Sequence, residues 1–215
     1  IAISNQNFSS FEKICDVEVS IKKTRINDAK VDPYGGIVFG TYNEDPDKLN
    51  RKPIANLYRL APDLSLTHLL SNITVSNGLA FSQKDNIMYF ADTPTGLIKK
   101  FSYNRDFKKI DELESNMIFN DIGEPDGATL DIDDNYWSAR VRGKCVICID
   151  AKNGKIIEKI DLPTSTPTCV TFGNSDLSCL YVTSLRADPI NDSADGNLYK
   201  IKTGTQGLKQ LLADF

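Results

Sequence analysis

"NGLAFSQKDNIMYFADT", residues Asn77 to Thr93, carries the pattern from which the fold is read. A small polar residue leads into a short apolar strand. The chain then turns through Ser82, Gln83, Lys84, Asp85 and Asn86, and a second strand carries Tyr89 and Phe90. Short polar side chains in such a turn bond to their own backbone, so the stretch reads as a β-hairpin. Three more segments repeat it: "NDAKVDPYGGIVFGTY" (27–42), "DGATLDIDDNYWSAR" (126–140) and "TCVTFGNSDLSCLYVTS" (168–184). Each copy is followed by another strand–turn–strand pattern. These are "ANLYRLAPDLSLTHLL" (55–70), "GLIKKFSYNRDFKKIDEL" (96–113), "KCVICIDAKNGKIIEKIDL" (144–162) and "GNLYKIKTGTQGLKQLLA" (196–213). Four short strands repeating every ~40–50 residues describe a propeller blade. The expectation is therefore an all-β chain, with residues 1–215 forming a single β-propeller domain.

Circular repetition has a chemical consequence. Equivalent residues of successive blades converge on one axis, so the lead residues Asn27, Asn77, Asp126 and Thr168 should ring a common centre. The oxygens of Asn77 and Asp126 suit hard divalent cations. The competing reading is that Asn-Gly and Asp-Gly merely form turns, and repeat geometry alone leaves both open.

The stretch "DIDDN" (131–135) spaces its acidic residues like a calcium loop. Such a loop wants Gly at its sixth position and Glu at its twelfth, where this chain has Tyr136 and Arg142. Its place in the repeat makes it a hairpin turn.

Bulk properties narrow the function classes. The net charge of −4 argues against a nucleic-acid partner, since phosphate binding needs a basic surface. No apolar run approaches the ~20 residues of a membrane span. Five cysteines make a poor disulfide framework and favour a reducing, cytoplasmic setting. Cys145 and Cys148 form a CxxC, but within a strand, so they read as core residues. His68 is the only histidine, and no G-x-S-x-G occurs, which disfavours a serine hydrolase.

"RINDAKVDPYGG", "SNGLAFSQKDNIMYFADT", "PDGATLDIDDNYW", "PTCVTFGNSDLSCLYVTS" and "GNLYKI" occur in an order and at spacings that resemble the senescence-marker-protein/gluconolactonase/regucalcin family, which includes luciferin-regenerating enzyme. The resemblance covers nearly the whole chain. It implies a six-bladed propeller with one divalent metal ion (Ca²⁺, Zn²⁺, Mn²⁺ or Mg²⁺) on the axis and a hydrolase that opens sugar lactones. By resemblance Asn77 and Asp126 are metal ligands and Asp126 is the general base. Arg25 and Asn27 match the substrate-binding pair, and Glu44 or Asp45 would supply an acidic substrate contact. Cys169 matches a packing position. The partner implied is a small sugar lactone, for a protein that is a monomer or weak dimer.

Two departures matter. Ala29 replaces the Gly of the family's usual "NDGK". The family's remaining metal ligand, a Glu in an "EGP" context near the N-terminus, has no counterpart before Arg25. Roughly 75–90 residues of a complete member are then expected ahead of this stretch, leaving about four to five blades here. The missing ligand keeps a second reading alive, a non-catalytic calcium-binding propeller or protein-binding platform. The polar loop "NEDPDKLNRKPIAN" (43–56) is expected to overhang the channel mouth and tune substrate choice through Lys48, Arg51 or Lys52. The loop "LRADPINDSADGN" (185–197) is its counterpart further on.

Overall fold

A computed structural model of the chain describes residues 1–47, 50–186 and 194–215. It forms an arc of antiparallel sheets. A hairpin of β1 (Ala2–Ser4) and β2 (Phe11–Lys13) comes first. The first blade is β3 (Thr24–Val31), β4 (Ile37–Asn43), β5 (Ala55–Leu60) and β6 (Leu66–Ile73). The second is β7 (Ser76–Phe81), β8 (Ile87–Asp92), β9 (Leu97–Tyr103) and β10 (Ile110–Ile118). The third is β11 (Glu124–Leu130), β12 (Tyr136–Val141), β13 (Cys145–Ile149) and β14 (Ile156–Asp161). The fourth has three strands, β15 (Pro167–Gly173), β16 (Cys179–Ser184) and β17 (Leu198–Lys202). The first strands of the four blades, β3, β7, β11 and β15, pack against one another in that order. This is the propeller arrangement that the repeat predicts. Among the described residues no helix is long and apolar enough to cross a membrane.

Three hydrophobic cores lie between successive blades. Leu57, Phe81, Met88 and Phe101 join the first two. Tyr89, Met117, Leu130, Tyr136 and Ile147 join the second and third. Trp137, Val146, Phe172 and Leu180 join the third and fourth. Strand β13 explains the CxxC. Residues alternate faces along a strand, so Cys145 enters the core toward the second blade and Cys148 the core toward the fourth. Both thiols are free and buried, as the core reading expects.

The inner hairpins share one device. The Asp32 carboxylate accepts from the Tyr34 and Gly36 N–H groups at 2.7 and 3.3 Å. The Ser82 hydroxyl accepts from Lys84 and Asp85 at 3.2 and 3.1 Å. Asp131 Oδ1 accepts from Asp133 and Asn135 at 3.0 and 2.9 Å, while its Oδ2 accepts from Asn135 Nδ2 and Trp137 Nε1. Both oxygens of Asp131 are thus committed to the turn, and "DIDDN" is structural.

The end of the chain departs from the sequence expectation. The segment 196–213 was expected to supply two strands, but only β17 forms. Past Lys202 the backbone instead crosses the lower ends of the blades. Gly207 N–H donates to Leu177 O, Ile132 N–H to Gln206 O, Leu208 N–H to Leu130 O and Asp214 N–H to Gly35 O. Gln83 Nε2 reaches Lys209 O at 3.3 Å. The physical reason is burial: Leu208 packs on the core between the second and third blades, whereas a fourth strand on β17 would leave it at a sheet edge. Between the tail and the blades lies a void of about 20 Å³, lined in part by Leu208 and Leu211. Removing residues 208–215 is expected to cost about 1–2 kcal/mol, chiefly from the lost burial of Leu208. Urea denaturation measures it, and an unchanged midpoint would show that the tail does not hold the blades.

Candidate active site

Each inner strand is irregular at its lead residue. The register of β3 on β4 slips between Ile26 and Ala29, and that of β7 on β8 between Asn77 and Ala80. The same break falls between Pro125 and Ala128 in β11 and between Pro167 and Cys169 in β15. Bulges re-aim side chains out of the pleat and recur beside active sites. Here they direct Asn27, Asn77, Asp126 and Thr168 into one cleft of about 480 Å³, within the usual range for small-molecule sites. Gly78 makes the bulge in β7 possible: its φ is +69°, and a Cβ there would lie 2.5 Å from the Tyr136 hydroxyl. Tyr136 Oη donates to Gly78 O at 2.8 Å and ties the second blade to the third.

A chain of hydrogen bonds runs across the cleft floor. Asn27 Nδ2 donates to Ser76 O at 2.8 Å and to Asn77 Oδ1 at 3.2 Å. Asn77 Nδ2 donates to Thr93 Oγ1 at 2.8 Å, and Thr93 Oγ1 to Pro125 O at 2.9 Å. Three blades are therefore locked together at the residue before Asp126.

The electrostatics set Asp126 apart. Burial, reinforced by the negative charge of Asp28, pushes its carboxyl up to about 7. Asp28, which accepts from Leu79 N–H at 3.0 Å, is raised by burial to about 6 despite that bond and nearby Lys30. Two interacting carboxyls both pushed up toward neutrality are the kind of perturbation found at functional sites.

The sequence candidates divide in two. Asn27, Asn77 and Asp126 line the cleft. Arg25, Glu44 and Asp45 are not among its lining residues and are occupied at its mouth. Arg25 Nε donates to Glu44 Oε1 at 2.9 Å, and the Arg25 guanidinium lies 4.4 Å from the centre of the Tyr42 ring. Asp45 pairs with Lys23 at 2.9 Å. Of the loop residues expected to shape the pocket, Arg51 does line the cleft. Lys52 is exposed away from the lining, and Lys48 lies outside the described residues, as do residues 187–193 of the second loop. Cys169 is exposed and does not line the cleft; its Sγ sits over Gly127, where a Cβ would meet it at 2.6 Å.

Sequence reasoning missed Thr93, Glu124, Arg142 and Leu185, which also line the cleft, and Asp28. Glu124 and Arg142 form an ion pair of 2.9 Å at its edge. Their signal was visible but unread: Glu124 stands two residues before Asp126, hence on the same side of a strand. Behind them buried Arg140 donates to Phe119 O at 2.9 Å and Gly123 O at 2.6 Å, fixing the loop that delivers Glu124.

A larger cavity of about 740 Å³, lined by Lys84, Asp134, Asn135 and Asp150, is built from turn residues. None of the lead residues reaches it.

Fold and cleft together define a β-propeller whose inner strands converge on one polar cleft. Residues 1–186 match the SMP-30/Gluconolactonase/LRE-like region, and the chain belongs to that family. It is 36% identical over 176 residues to YvrE of Bacillus subtilis (strain 168), which is named as a candidate sugar lactone lactonase; the match covers 81% of this chain and 59% of YvrE. It is 32% identical over 176 residues to regucalcin of Bos taurus, covering 80% and 58% of the two chains. A solved structure of luciferin-regenerating enzyme superposes with a TM-score of 0.89 at 29% identity, over 96% of this chain and 71% of that one. The chain thus spans less than two thirds of the two sequence relatives it is compared with.

Proposed function

We propose that this cleft opens sugar lactones by hydrolysis, with Asp126 as general base. The observation that carries the reading is the convergence of Asn27, Asn77 and Asp126 from three blades on one cleft, with Asp126 poised near neutral pH. Its membership of a family with lactonase-named relatives supports it. A lactone is a cyclic ester. Asp126 removes a proton from water as its oxygen attacks the carbonyl carbon, and the ring C–O bond then breaks. The departing ring oxygen takes the proton back from Asp126 and becomes a hydroxyl of the open acid. A base near the operating pH suits both transfers. Asn27, which lines the same cleft, orients sugar hydroxyls.

The residues present fit a hard divalent cation in part. Asn77 Oδ1 and the Asp126 carboxylate are oxygen donors of the right chemistry. Among the described residues, however, no three carboxylate, imidazole or thiol groups converge. Asn77 and Asp126 thus supply two side-chain donors of the six to eight that a Ca²⁺ ion takes. When bound, such an ion would polarise the lactone carbonyl and acidify water.

The incomplete donor set favours a second reading, in which the cleft binds a ligand without turnover. Calorimetric titration of the chain with Ca²⁺ or Mn²⁺ should give a Kd weaker than about 10⁻⁴ M. Tight one-to-one binding would contradict this. A panel of sugar lactones, assayed with and without chelator on the native protein, decides between turnover and binding.

A further inference from the structure

Arg51 is the feature of the cleft that lactone hydrolysis leaves unused. It is half-buried and lines the same cavity as Asn27, Asn77 and Asp126. Its guanidinium is held in place on two sides. Nε donates to Asp45 O at 2.8 Å, and the group lies 5.7 Å from the centre of the Tyr42 ring.

Among the described residues it nonetheless has no ion pair of its own, and the Asp45 carboxylate acts on it only from beyond ion-pair distance. Among those residues it donates no hydrogen bond beyond the one to Asp45 O. The Asp45 carboxylate is taken by Lys23 at 2.9 Å. The other arginine of the lining, Arg142, is matched by Glu124 at 2.9 Å. Arg25 at the mouth is matched by Glu44. A fixed guanidinium with both terminal amino groups open is a bidentate receptor for a planar or tetrahedral anion.

Resting on the lactonase reading, we infer that the preferred substrate carries a second, negatively charged group, a carboxylate, phosphate or sulfonate, which Arg51 binds while Asp126 faces the lactone. A neutral lactone would leave this half-desolvated cation without a partner, which is how a site built for a polar group rejects a substrate that lacks it.

The test compares gluconolactone with 6-phosphogluconolactone on the native protein. The charged lactone should show the higher kcat/KM. Arg51→Gln should lower that preference about 10- to 100-fold, the range for a charge-assisted hydrogen bond. Arg51→Lys should fall between, because it keeps the charge and loses the fork. Equal use of the two lactones, or a preference unchanged in Arg51→Gln, would overturn the inference and leave the lactonase reading standing. If neither lactone is opened, the lactonase reading fails, and calorimetry with 6-phosphogluconate, glucarate and gluconate decides anion recognition by itself. Tighter binding of the two acids that carry a second anionic group, lost in Arg51→Gln, sustains it. Equal binding of all three, or none, refutes it.

Discussion

Asp126→Asn should lower kcat/KM on a lactone substrate at least about 10³-fold and at the same time stabilise the protein above pH 7. Asparagine keeps the shape and cannot take a proton, so the first effect isolates the general base. In the wild-type protein kcat/KM should rise with pH through a limb near 7, where the Asp126 carboxyl ionises. The variant should lack that limb.

The stability effect has the opposite sense. An unfolded Asp loses its proton near 3.9, whereas native Asp126 holds it to about 7 because of burial and Asp28. Between those values the native state binds more protons than the unfolded state. Native stability attributable to this group is therefore complete below about pH 4 and lost as pH rises through 7. The carboxyl is partly solvated, so the gain in the variant at pH 8 is about 1–2 kcal/mol after screening. The melting curves of the two proteins should coincide at pH 4. A variant less stable than wild type at pH 8 would show that the ionised Asp126 is held by compensating contacts.

Asp32→Ala should cost about 3–5 kcal/mol without touching the cleft. Asp32 is 0% exposed and Arg59 4%. Asp32 Oδ2 accepts from Arg59 Nε at 2.6 Å, and Oδ1 caps two backbone N–H groups of its turn. Removing the carboxylate strands a buried guanidinium over the Phe107 ring, 4.7 Å from its centre, and leaves both N–H groups unpaired. For a chain of this size the midpoint should fall by about 10 °C. Asp32→Ala combined with Arg59→Met should lose less than the two single changes summed, because the second removes the unpaired charge created by the first. Additive losses would mean the pair contributes no coupling. Since Asp32 follows the end of β3 and does not line the cleft, lactone kinetics below the transition should stay unchanged.

Much of this molecule is legible in local patterns. The four hairpins, the turn role of "DIDDN" and the core placement of Cys145 and Cys148 all follow from alternation and turn chemistry over a few residues. Even the ring of leads can be foreseen, because equal repeats must share an axis. What local pattern cannot show is where a bulge falls, since it is a mismatch between two strands rather than a property of one. Nor can it show what each mouth residue touches. Arg25, Glu44 and Arg51 look alike on paper, yet Arg25 and Glu44 neutralise each other and Arg51 is left open.

The tail makes the same point for the fold. "GLKQLLADF" stands where the repeat places an outer strand, but in the structure Leu208 packs on the core between the second and third blades. By itself, the sequence determined the blade repeat, the turns and the polar residue that opens each inner strand, because these depend on neighbours along the chain. Only the tertiary structure decided which charges are paired, which carboxyl is desolvated and where the tail lies. Those outcomes depend on groups far apart along the chain, such as Asp28 with Asp126 and Gly35 with Asp214.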